Sequence, residues 1–199
     1  MPDSKFSKVQ LRSDLRQRRQ ALSPAQQHLA AEGLTVSIAA LPGWPGSQRI
    51  ALYLPADGEI GTGPLAELAR SQDKRLYLPV IEEDQHLSFA AWQTGASLLS
   101  NRYGIPEPPT GAELCPVAGL DIIFMPVVGW DLAGGRLGMG GGFYDRTLSG
   151  VAGPLLVGLA HDFQQVDSIP QEDWDISLNF IATETALHCC QGRVEPAGT

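Results

Sequence analysis

Short apolar runs that alternate with helix-length segments are the feature that most limits the folds open to this chain. The runs are rich in Leu, Ile, Val and aromatic residues and are short enough to be buried strands, at residues 49–54, 75–79, 87–92, 121–128, 154–159 and 178–182. Strands that alternate with helices favour a mostly parallel sheet that is covered on both faces. We therefore predict an α/β protein.

The helices are predicted from apolar spacing and from capping residues. Leu11, Leu15 and Leu22 fall on one face of a helix over residues 7–22. Ser23 and Pro24 then supply an N-cap and a first-turn proline for a second helix over residues 24–40. A third helix is predicted over residues 64–72. Residues 93–120 are rich in Gly and Pro and predict a long surface loop.

The length and composition suit one ordinary domain. The chain has 199 residues and is 43% hydrophobic, which predicts a single domain over residues 1–190 and a disordered tail over residues 191–199. No apolar stretch approaches the ~18 residues of a membrane span, and no signal peptide is visible. The three cysteines form neither a disulfide framework nor a zinc pattern. We therefore expect a cytoplasmic protein that does not bind membranes.

Charge is distributed unevenly along the chain. The net charge is −8, which argues against nucleic acid as a partner. Residues 1–20 nevertheless carry a net charge of +4, and the rest carries −12. Four of the cations share one helical stripe beside the leucines, namely Lys8, Arg12, Arg16 and Arg19. The stripe is either an ordinary solvated face or the edge of a site for a small anion.

A glycine-rich segment over residues 134–146 follows the strongest predicted strand. Glycines let backbone N–H groups approach phosphate oxygens, and a helix that begins near Gly142 would add its positive end. Asp145 could hold a magnesium ion that bridges phosphates. The segment lacks the Gly-Lys-Ser/Thr of a Walker A loop. A flexible turn is the other interpretation, but the presence of Arg136 and Tyr144 favours phosphate binding.

Acidic residues mark two further segments. Asp57 and Glu59 follow the first predicted strand, where ligands bind in open α/β sheets, although solvated acids in a turn would give the same pattern. Asp175, after Trp174, is either a metal ligand or a turn cap. The four histidines show no metal spacing, and no Ser-His-Asp arrangement is visible. A hydrolase with a side-chain nucleophile is therefore not favoured.

In their order along the chain, these segments resemble the 5-formyltetrahydrofolate cyclo-ligase family. The resemblance extends from Lys8 to about Glu184, and its most specific part is the Gly-x-Gly-Gly-Gly-Phe-Tyr-Asp-Arg run that ends at Arg146. The other matching motifs are Lys8-x-x-Leu11-Arg12, Arg18-Arg19, Leu22-Ser23, Tyr53-Leu54, Asp57-Gly58-Glu59-Ile60, Tyr103-Gly104-Ile105-Pro106-Glu107-Pro108, Gly158-Leu159-Ala160 and Trp174-Asp175.

The resemblance implies a three-layer α/β/α sandwich of Rossmann-like type. It also implies an ATP- and Mg²⁺-dependent ligase of one-carbon metabolism that converts 5-formyltetrahydrofolate to 5,10-methenyltetrahydrofolate. Lys8, Arg12 and Arg136 would stabilise the transferring phosphoryl group, Leu54 and Glu59 would contact the folate, and Asp145 and Asp175 would bind magnesium. The ATP site would comprise Lys8, Arg12, Arg136, Leu137, Gly138, Met139, Gly140, Gly141, Gly142, Phe143 and Tyr144.

Two positions depart from the family pattern. Asn179 stands where relatives often have an aspartate, so no metal role is carried to it, and Phe143 replaces a common tyrosine. Two other functions stay open. One is a catalytically silent folate- or nucleotide-binding relative, and the other is a sugar-phosphate isomerase or coenzyme A transferase on a similar scaffold. We expect a monomer or a weak dimer.

Overall fold

The structure, a computed structural model, describes residues 4–101 and 104–190. Tyr103 and the predicted tail over residues 191–199 lie outside them. The helices are α1 (Ser4–Gln20), α2 (Pro24–Ala39), α3 (Gly63–Ser71) and α4 (Phe143–Leu148). The strands are β1 (Arg49–Ala51), β2 (Arg75–Ile81), β3 (Leu87–Ala91), β4 (Leu99–Ser100), β5 (Pro106–Glu107), β6 (Leu114–Cys115), β7 (Ile122–Pro126), β8 (Gly129–Trp130), β9 (Arg136–Leu137), β10 (Leu155–Leu159), β11 (Phe180–Ala182) and β12 (Leu187–Cys189).

One sheet of eight strands forms the centre of the molecule, in the order β12-β11-β10-β7-β1-β2-β3-β6. The five strands from β11 to β2 are parallel, whereas β3, β6 and β12 pair antiparallel at the two edges. The predicted α/β class with a mostly parallel sheet is therefore confirmed.

Both faces of the sheet are covered. On one face Leu34 of α2 and Leu65 of α3 pack with Ile50 and Phe124 of the sheet. On the other face α4 contributes Leu148, and the remaining cover comes from connecting segments. The predicted three-layer sandwich is thus present, with an outer layer on the second face that is mostly irregular chain.

The predicted surface loop over residues 93–120 contains more structure than its sequence indicates. Strands β4 and β5 form a separate two-stranded ribbon, and β6 joins the main sheet beside β3. The edge strand β12 was also missed. Strands of two or three residues have no apolar period, so tertiary pairing decides them.

Helix α1 packs beside β8 and β9 through its leucines. Its Leu15 belongs to a small apolar cluster with Val128, Leu137 and Ile169. This packing places Arg12 of α1 beside the glycine-rich segment. Within the described part of the chain, no helix combines the length and apolar character that a bilayer crossing requires.

Candidate active site

A cavity of about 910 Å³ opens beyond the carboxyl ends of β1, β2 and β7, the usual ligand position in open α/β sheets. Its walls come from α1, from the segment after β1, from the glycine-rich segment and from Glu172, Trp174 and Asp175. All the predicted site residues line this cavity: Lys8, Arg12, Leu54, Glu59, Arg136, Leu137, Gly138, Met139, Gly140, Gly141, Gly142, Phe143, Tyr144, Asp145 and Asp175. The structure therefore brings together segments that are far apart in sequence.

Asp131 shapes the start of the glycine-rich segment. Its buried Oδ1 accepts hydrogen bonds from the N–H groups of Ala133 (3.0 Å) and Gly135 (2.8 Å), and its Oδ2 accepts one from Ile169 N–H at 2.8 Å. A Cβ on Gly135 would lie 2.6 Å from Asp131 Oδ2, so a larger residue does not fit. This turn joins β8 to β9 and presents Arg136 to the cavity. Sequence reasoning did not identify Asp131, although an Asp shortly before a Gly-Gly pair is a turn signal, since its side chain can accept from the N–H two residues on.

The glycines after β9 let the chain turn closely past α1. Gly140 and Gly142 have φ values of +100° and +66°, in the region that favours glycine, and Gly142 is the N-cap of α4. Arg12 donates from Nε to the carbonyl oxygen of Gly138 at 2.8 Å. As predicted, a helix begins at this point, and Tyr144 in its first turn lines the cavity. Burial raises the pKa of Tyr144, so its phenol stays neutral.

Arg136 and Asp145 form an ion pair in the cavity wall. The Arg136 guanidinium donates to Asp145 Oδ1 and to the carbonyl oxygen of Ile176, and Asp145 Oδ1 also accepts from Ile176 N–H at 3.1 Å. The Arg136 side chain is 7% exposed and that of Asp145 is 26% exposed. These bonds tie the glycine-rich segment to the loop that carries Asp175.

Asp175 caps a turn, as one of its two sequence interpretations predicts, and its metal role stays a prediction. Its Oδ2 accepts from Glu172 N–H at 2.9 Å, which caps a turn, and Asp175 also lines the cavity. Lys8 Nζ lies 3.6 Å from the same oxygen. Two cations of α1, Lys8 and Arg12, therefore reach the cavity beside the glycine-rich segment.

The other two cations of the stripe bind Asp57. Arg16 Nε and Arg19 Nη2 each lie 2.7 Å from Asp57 Oδ2, and Gln20 donates to Oδ1. Hydrogen bonds from Arg16, and then from Arg19 and Gln20, hold the pKa of Asp57 well below its usual range. The interpretation of Asp57 as a solvated acid is therefore wrong. The interpretation of the stripe as a solvated face is also wrong at Arg19, which is only 1% exposed.

Glu59 presents a shielded carboxylate to the cavity. Its side chain is 12% exposed, and its Oε2 accepts from Ala56 N–H at 3.0 Å. Burial raises the pKa of Glu59, an effect that the Ala56 hydrogen bond and the charge of Arg19 oppose. Apolar side chains form the nearby walls: Leu54, Leu78, Pro79, Ile81, Ile105 and Pro106. This part of the cavity suits a flat, largely apolar ligand that carries a few hydrogen-bond donors.

Two further side chains support these walls but were not assigned to the site from the sequence. Glu107 Oε1 accepts from Ile81 N–H at 3.0 Å and so docks the β4–β5 ribbon beside β2. His161 is fully buried, and its Nε2 lies 3.1 Å from the carbonyl oxygen of Gly58. Glu107 belongs to a motif quoted from the sequence, but the contacts of both residues cross long separations in sequence, so local spacing does not reveal them.

Asn179 lies outside this site. Its side-chain oxygen accepts from Leu156 N–H at 2.8 Å, a contact between β10 and the start of β11, and it does not line the cavity. Among the residues that the structure describes, no group of three or more His, Cys, Asp or Glu side chains is placed to hold a metal ion.

Comparison with known proteins agrees with this arrangement. The family model described as "5-formyltetrahydrofolate cyclo-ligase family" matches residues 4–184. The chain is 39% identical to the 5-formyltetrahydrofolate cyclo-ligase of Haemophilus influenzae over 174 residues, covering 85% of this chain and 93% of that protein. It is also 39% identical to the Escherichia coli K12 enzyme of the same name over 178 residues, covering 87% and 98% of the two chains.

The fold is similar to that of a solved relative. A 5,10-methenyltetrahydrofolate synthetase from Aquifex aeolicus superposes with a TM-score of 0.82 at 32% identity, covering 96% of each chain. The family match, the two bacterial relatives and this structure agree over nearly the whole of the described chain. This protein belongs to the 5-formyltetrahydrofolate cyclo-ligase family.

Proposed function

We propose that this protein uses ATP to convert 5-formyltetrahydrofolate to 5,10-methenyltetrahydrofolate, with ADP and phosphate as the other products. The observation that carries the proposal is a single cavity lined by two unlike sets of residues, which we assign to its two ends. One set combines cations with a glycine-rich loop, and the other combines a shielded carboxylate with apolar walls. At about 910 Å³ the cavity lies near the upper limit of usual ligand sites, which suits two substrates side by side.

The cationic end is suited to the phosphates of ATP. Lys8 and Arg12 reach it from one helix, and the four glycines among residues 138–142 let backbone N–H groups approach phosphate oxygens closely. Arg136 would add a third cation where charge develops on the transferred phosphoryl group. Phosphoryl transfer depends mainly on positioning and on charge stabilisation, so this end requires no side-chain nucleophile.

Asp145 and Asp175 fit a magnesium ion that is shared with ATP. Magnesium usually takes one or two carboxylates together with substrate phosphates and water. Asp145 Oδ2 and Asp175 Oδ1 make no hydrogen bond with the described residues, so each carboxylate has an oxygen to offer. When bound, magnesium would neutralise charge on the phosphates. Arg136 and Lys8 already hold the two carboxylates in the cavity wall.

The other end is suited to the reduced pterin. The pterin ring presents N–H and amino donors, and the Glu59 carboxylate can accept them in a charge-assisted way. Leu54 lines the same cavity and would offer an apolar surface to the ring. This arrangement would place the N5 formyl group between Glu59 and the phosphate end.

The chemistry follows from bringing these groups together. The formyl oxygen attacks the γ-phosphorus of ATP, the bond to the β-phosphate oxygen breaks, and ADP leaves. The product is an imidate phosphate, whose carbon is a far better electrophile than that of a formamide. N10 then forms a bond to this carbon as the C–O bond breaks, phosphate leaves, and the N10 proton is lost. The enzyme supplies orientation and charge stabilisation for both steps.

The decisive experiment is a spectrophotometric assay for the methenyl product, with and without ATP. We expect product and an equal amount of ADP only when ATP and 5-formyltetrahydrofolate are both present. A sugar-phosphate isomerase or coenzyme A transferase would release no ADP. A catalytically silent relative would bind the ligands without turnover. Absence of ATP-dependent product from folded protein would refute the proposal.

A matched pair of substitutions on α1 tests the nucleotide end. Arg12→Ala is expected to raise KM for ATP about tenfold, because a charge-assisted phosphate contact typically contributes ~1.5–3 kcal/mol. Arg18→Ala is expected to change KM less than about twofold. Arg18 is exposed and lies 4.7 Å above the Phe163 ring, outside the cavity. Equal losses in both variants would mean that the helix supplies only a general positive field.

We also propose that the protein acts in a reducing compartment such as the cytoplasm. Cys115, Cys189 and Cys190 are free thiols in the structure, and Cys115 is buried. A net charge of −8 supports small ligands in preference to nucleic acid.

A further inference from the structure

We propose that Arg19 is a positioning residue for folate: a buried cation that keeps the Glu59 carboxylate charged and oriented towards the substrate. The proposal rests on the function proposed above and assigns a role to a residue outside the cavity lining. Arg19 would act on the substrate only through Glu59.

Arg19 occupies an unusual place for an arginine on a surface helix. It is 1% exposed, whereas its neighbour Arg18 is exposed. Its Nε donates to the carbonyl oxygen of Asp57 at 2.7 Å. Its Nη2 lies 2.7 Å from Asp57 Oδ2 and 3.8 Å from Glu59 Oε1. Arg19 therefore contacts both acids of the loop after β1.

The charge balance of this cluster leaves Arg19 as the counterion of Glu59. Asp57 has a second cation, Arg16, whose side chain is 40% exposed and whose Nε lies 2.7 Å from Asp57 Oδ2. The cluster thus contains two cations, Arg16 and Arg19, and two carboxylates. Arg16 contacts Asp57, whereas Arg19 contacts both Asp57 and Glu59. A buried carboxylate without a cation favours its neutral form, and a neutral acid is a weaker acceptor for the pterin donors.

Among the residues that the structure describes, the phenols and the imidazole around Glu59 do not supply a positive charge. Tyr53 and Tyr144 are the phenols within electrostatic reach, and burial raises the pKa of each, so both stay neutral. His161 contacts the adjacent Gly58, and burial lowers its pKa, which favours the neutral ring. Asp57 adds a negative charge that opposes ionisation of Glu59. Arg19 is therefore the cation that neutralises Glu59 in this cluster.

The orientation of Arg19 is itself constrained. Gly58 has a φ of +75°, and a Cβ at this position would lie 2.7 Å from the backbone oxygen of Arg19. The carbonyl oxygen of Gly58 also accepts from Gln27 Nε2 at 3.0 Å. Helix α1 and the Glu59 loop are therefore in close backbone contact. The contact holds the backbone of Arg19 beside the two acids, and the hydrogen bonds to Asp57 hold its side chain there.

The test compares Arg19→Met, which removes the charge and keeps much of the volume, with Arg19→Lys, which keeps the charge. Arg18→Met is the matched control on the exposed side of α1. KM for 5-formyltetrahydrofolate is measured from mildly acidic to mildly alkaline pH. At neutral pH we expect Arg19→Met to raise this KM about tenfold, with a smaller loss at higher pH, where Glu59 ionises without help. Arg19→Lys is expected to lose about two- to threefold, and Arg18→Met to match the parent.

A second measurement needs no substrate. The side-chain carboxyl carbon of Glu59 is titrated by ¹³C NMR in the parent and in each variant. We expect its midpoint to rise most in Arg19→Met, less in Arg19→Lys and not at all in Arg18→Met. Should Arg19→Met fail to fold, Arg19→Lys carries the test, because its shorter side chain cannot keep both contacts. An unchanged Glu59 midpoint, or a KM loss that is equal at every pH, overturns the proposal.

These outcomes are separate from a failure of the proposed function. A parent protein that forms no methenyl product would refute the cyclo-ligase activity, whatever Glu59 does. The dependence of the Glu59 titration on Arg19 is measured in the free protein. A normal parent activity with no effect of Arg19→Met would instead refute the role of Arg19 alone.

Discussion

Asp145→Asn is expected to lower kcat for methenyl formation by about 10²–10³-fold, the usual range for losing a group that stabilises transition-state charge. The amide keeps the size of the carboxylate and can still accept from Ile176 N–H. It removes the negative charge that a magnesium ion needs, and it weakens the pair with Arg136. The effect should therefore fall on chemistry more than on folding.

The experiment measures kcat, its dependence on magnesium concentration, and Tm in the same preparations. We expect the half-saturating magnesium concentration to rise about tenfold or more in the variant, since even outer-shell changes cost metal sites about 10–100-fold. The parent should lose its activity in excess chelator and recover it with added magnesium. Asp173→Asn is the control, because this exposed carboxylate is close in sequence to Asp175 but does not line the cavity.

Three results would contradict this role for Asp145. Full parental activity in excess chelator would remove the metal from the reaction. An unchanged magnesium dependence in Asp145→Asn, with a loss of turnover that Arg136→Gln reproduces, would make Asp145 a partner of Arg136 only. A large fall in Tm with normal turnover would identify a structural cap.

Glu59→Gln is expected to weaken binding of 5-formyltetrahydrofolate by roughly tenfold to a hundredfold, with little change for ATP. The carboxylate can accept from Ala56 N–H and from pterin donors at the same time. The amide accepts at one oxygen only and presents an NH₂ group where an acceptor is needed. An unpaired polar contact in a closed site costs about 1–3 kcal/mol, which sets the expected range.

Two titrations on the same variant separate the ligands, one with folate and one with a non-hydrolysable ATP analogue. Glu67→Gln on α3 is a suitable control, because Glu67 is exposed and does not line the cavity. The affinity of the parent protein for folate should also fall as the pH drops through the raised pKa of Glu59, because the charged carboxylate is the better hydrogen-bond acceptor. This fall in affinity at low pH should be missing in Glu59→Gln. A loss confined to the nucleotide would move Glu59 out of the folate end.

Local pattern was sufficient for much of the fold. The apolar runs that became β2, β3, β7 and β10 are continuous enough to be recognised as strands, and Ser23-Pro24 marks the start of α2 within one residue. The strands that the sequence did not predict are the short ones. Strands β6, β8, β9 and β12 have two or three residues each, so their backbone partners and not their own side chains determine them.

For the site, the sequence determined the residue types and their order. The glycines, Asp145, Glu59 and the stripe of α1 cations were all visible, and their order pointed to one family. What the sequence could not show is which charges meet. Arg19 lies far before Gly58 in the chain, and its backbone still lies close against that glycine.

Only the tertiary structure decided how the four stripe cations divide. Lys8 and Arg12 reach the cavity beside the glycine-rich segment, whereas Arg16 and Arg19 bind Asp57. Helical periodicity places all four on one face but does not reveal what packs against each turn. The partner of each cation depends on where the sheet brings the loop after β1 and the segment after β9, and these contacts span long separations in sequence. Burial and charge pairing are properties of that assembled arrangement, so the sequence determined the chemical groups and the fold decided their partners.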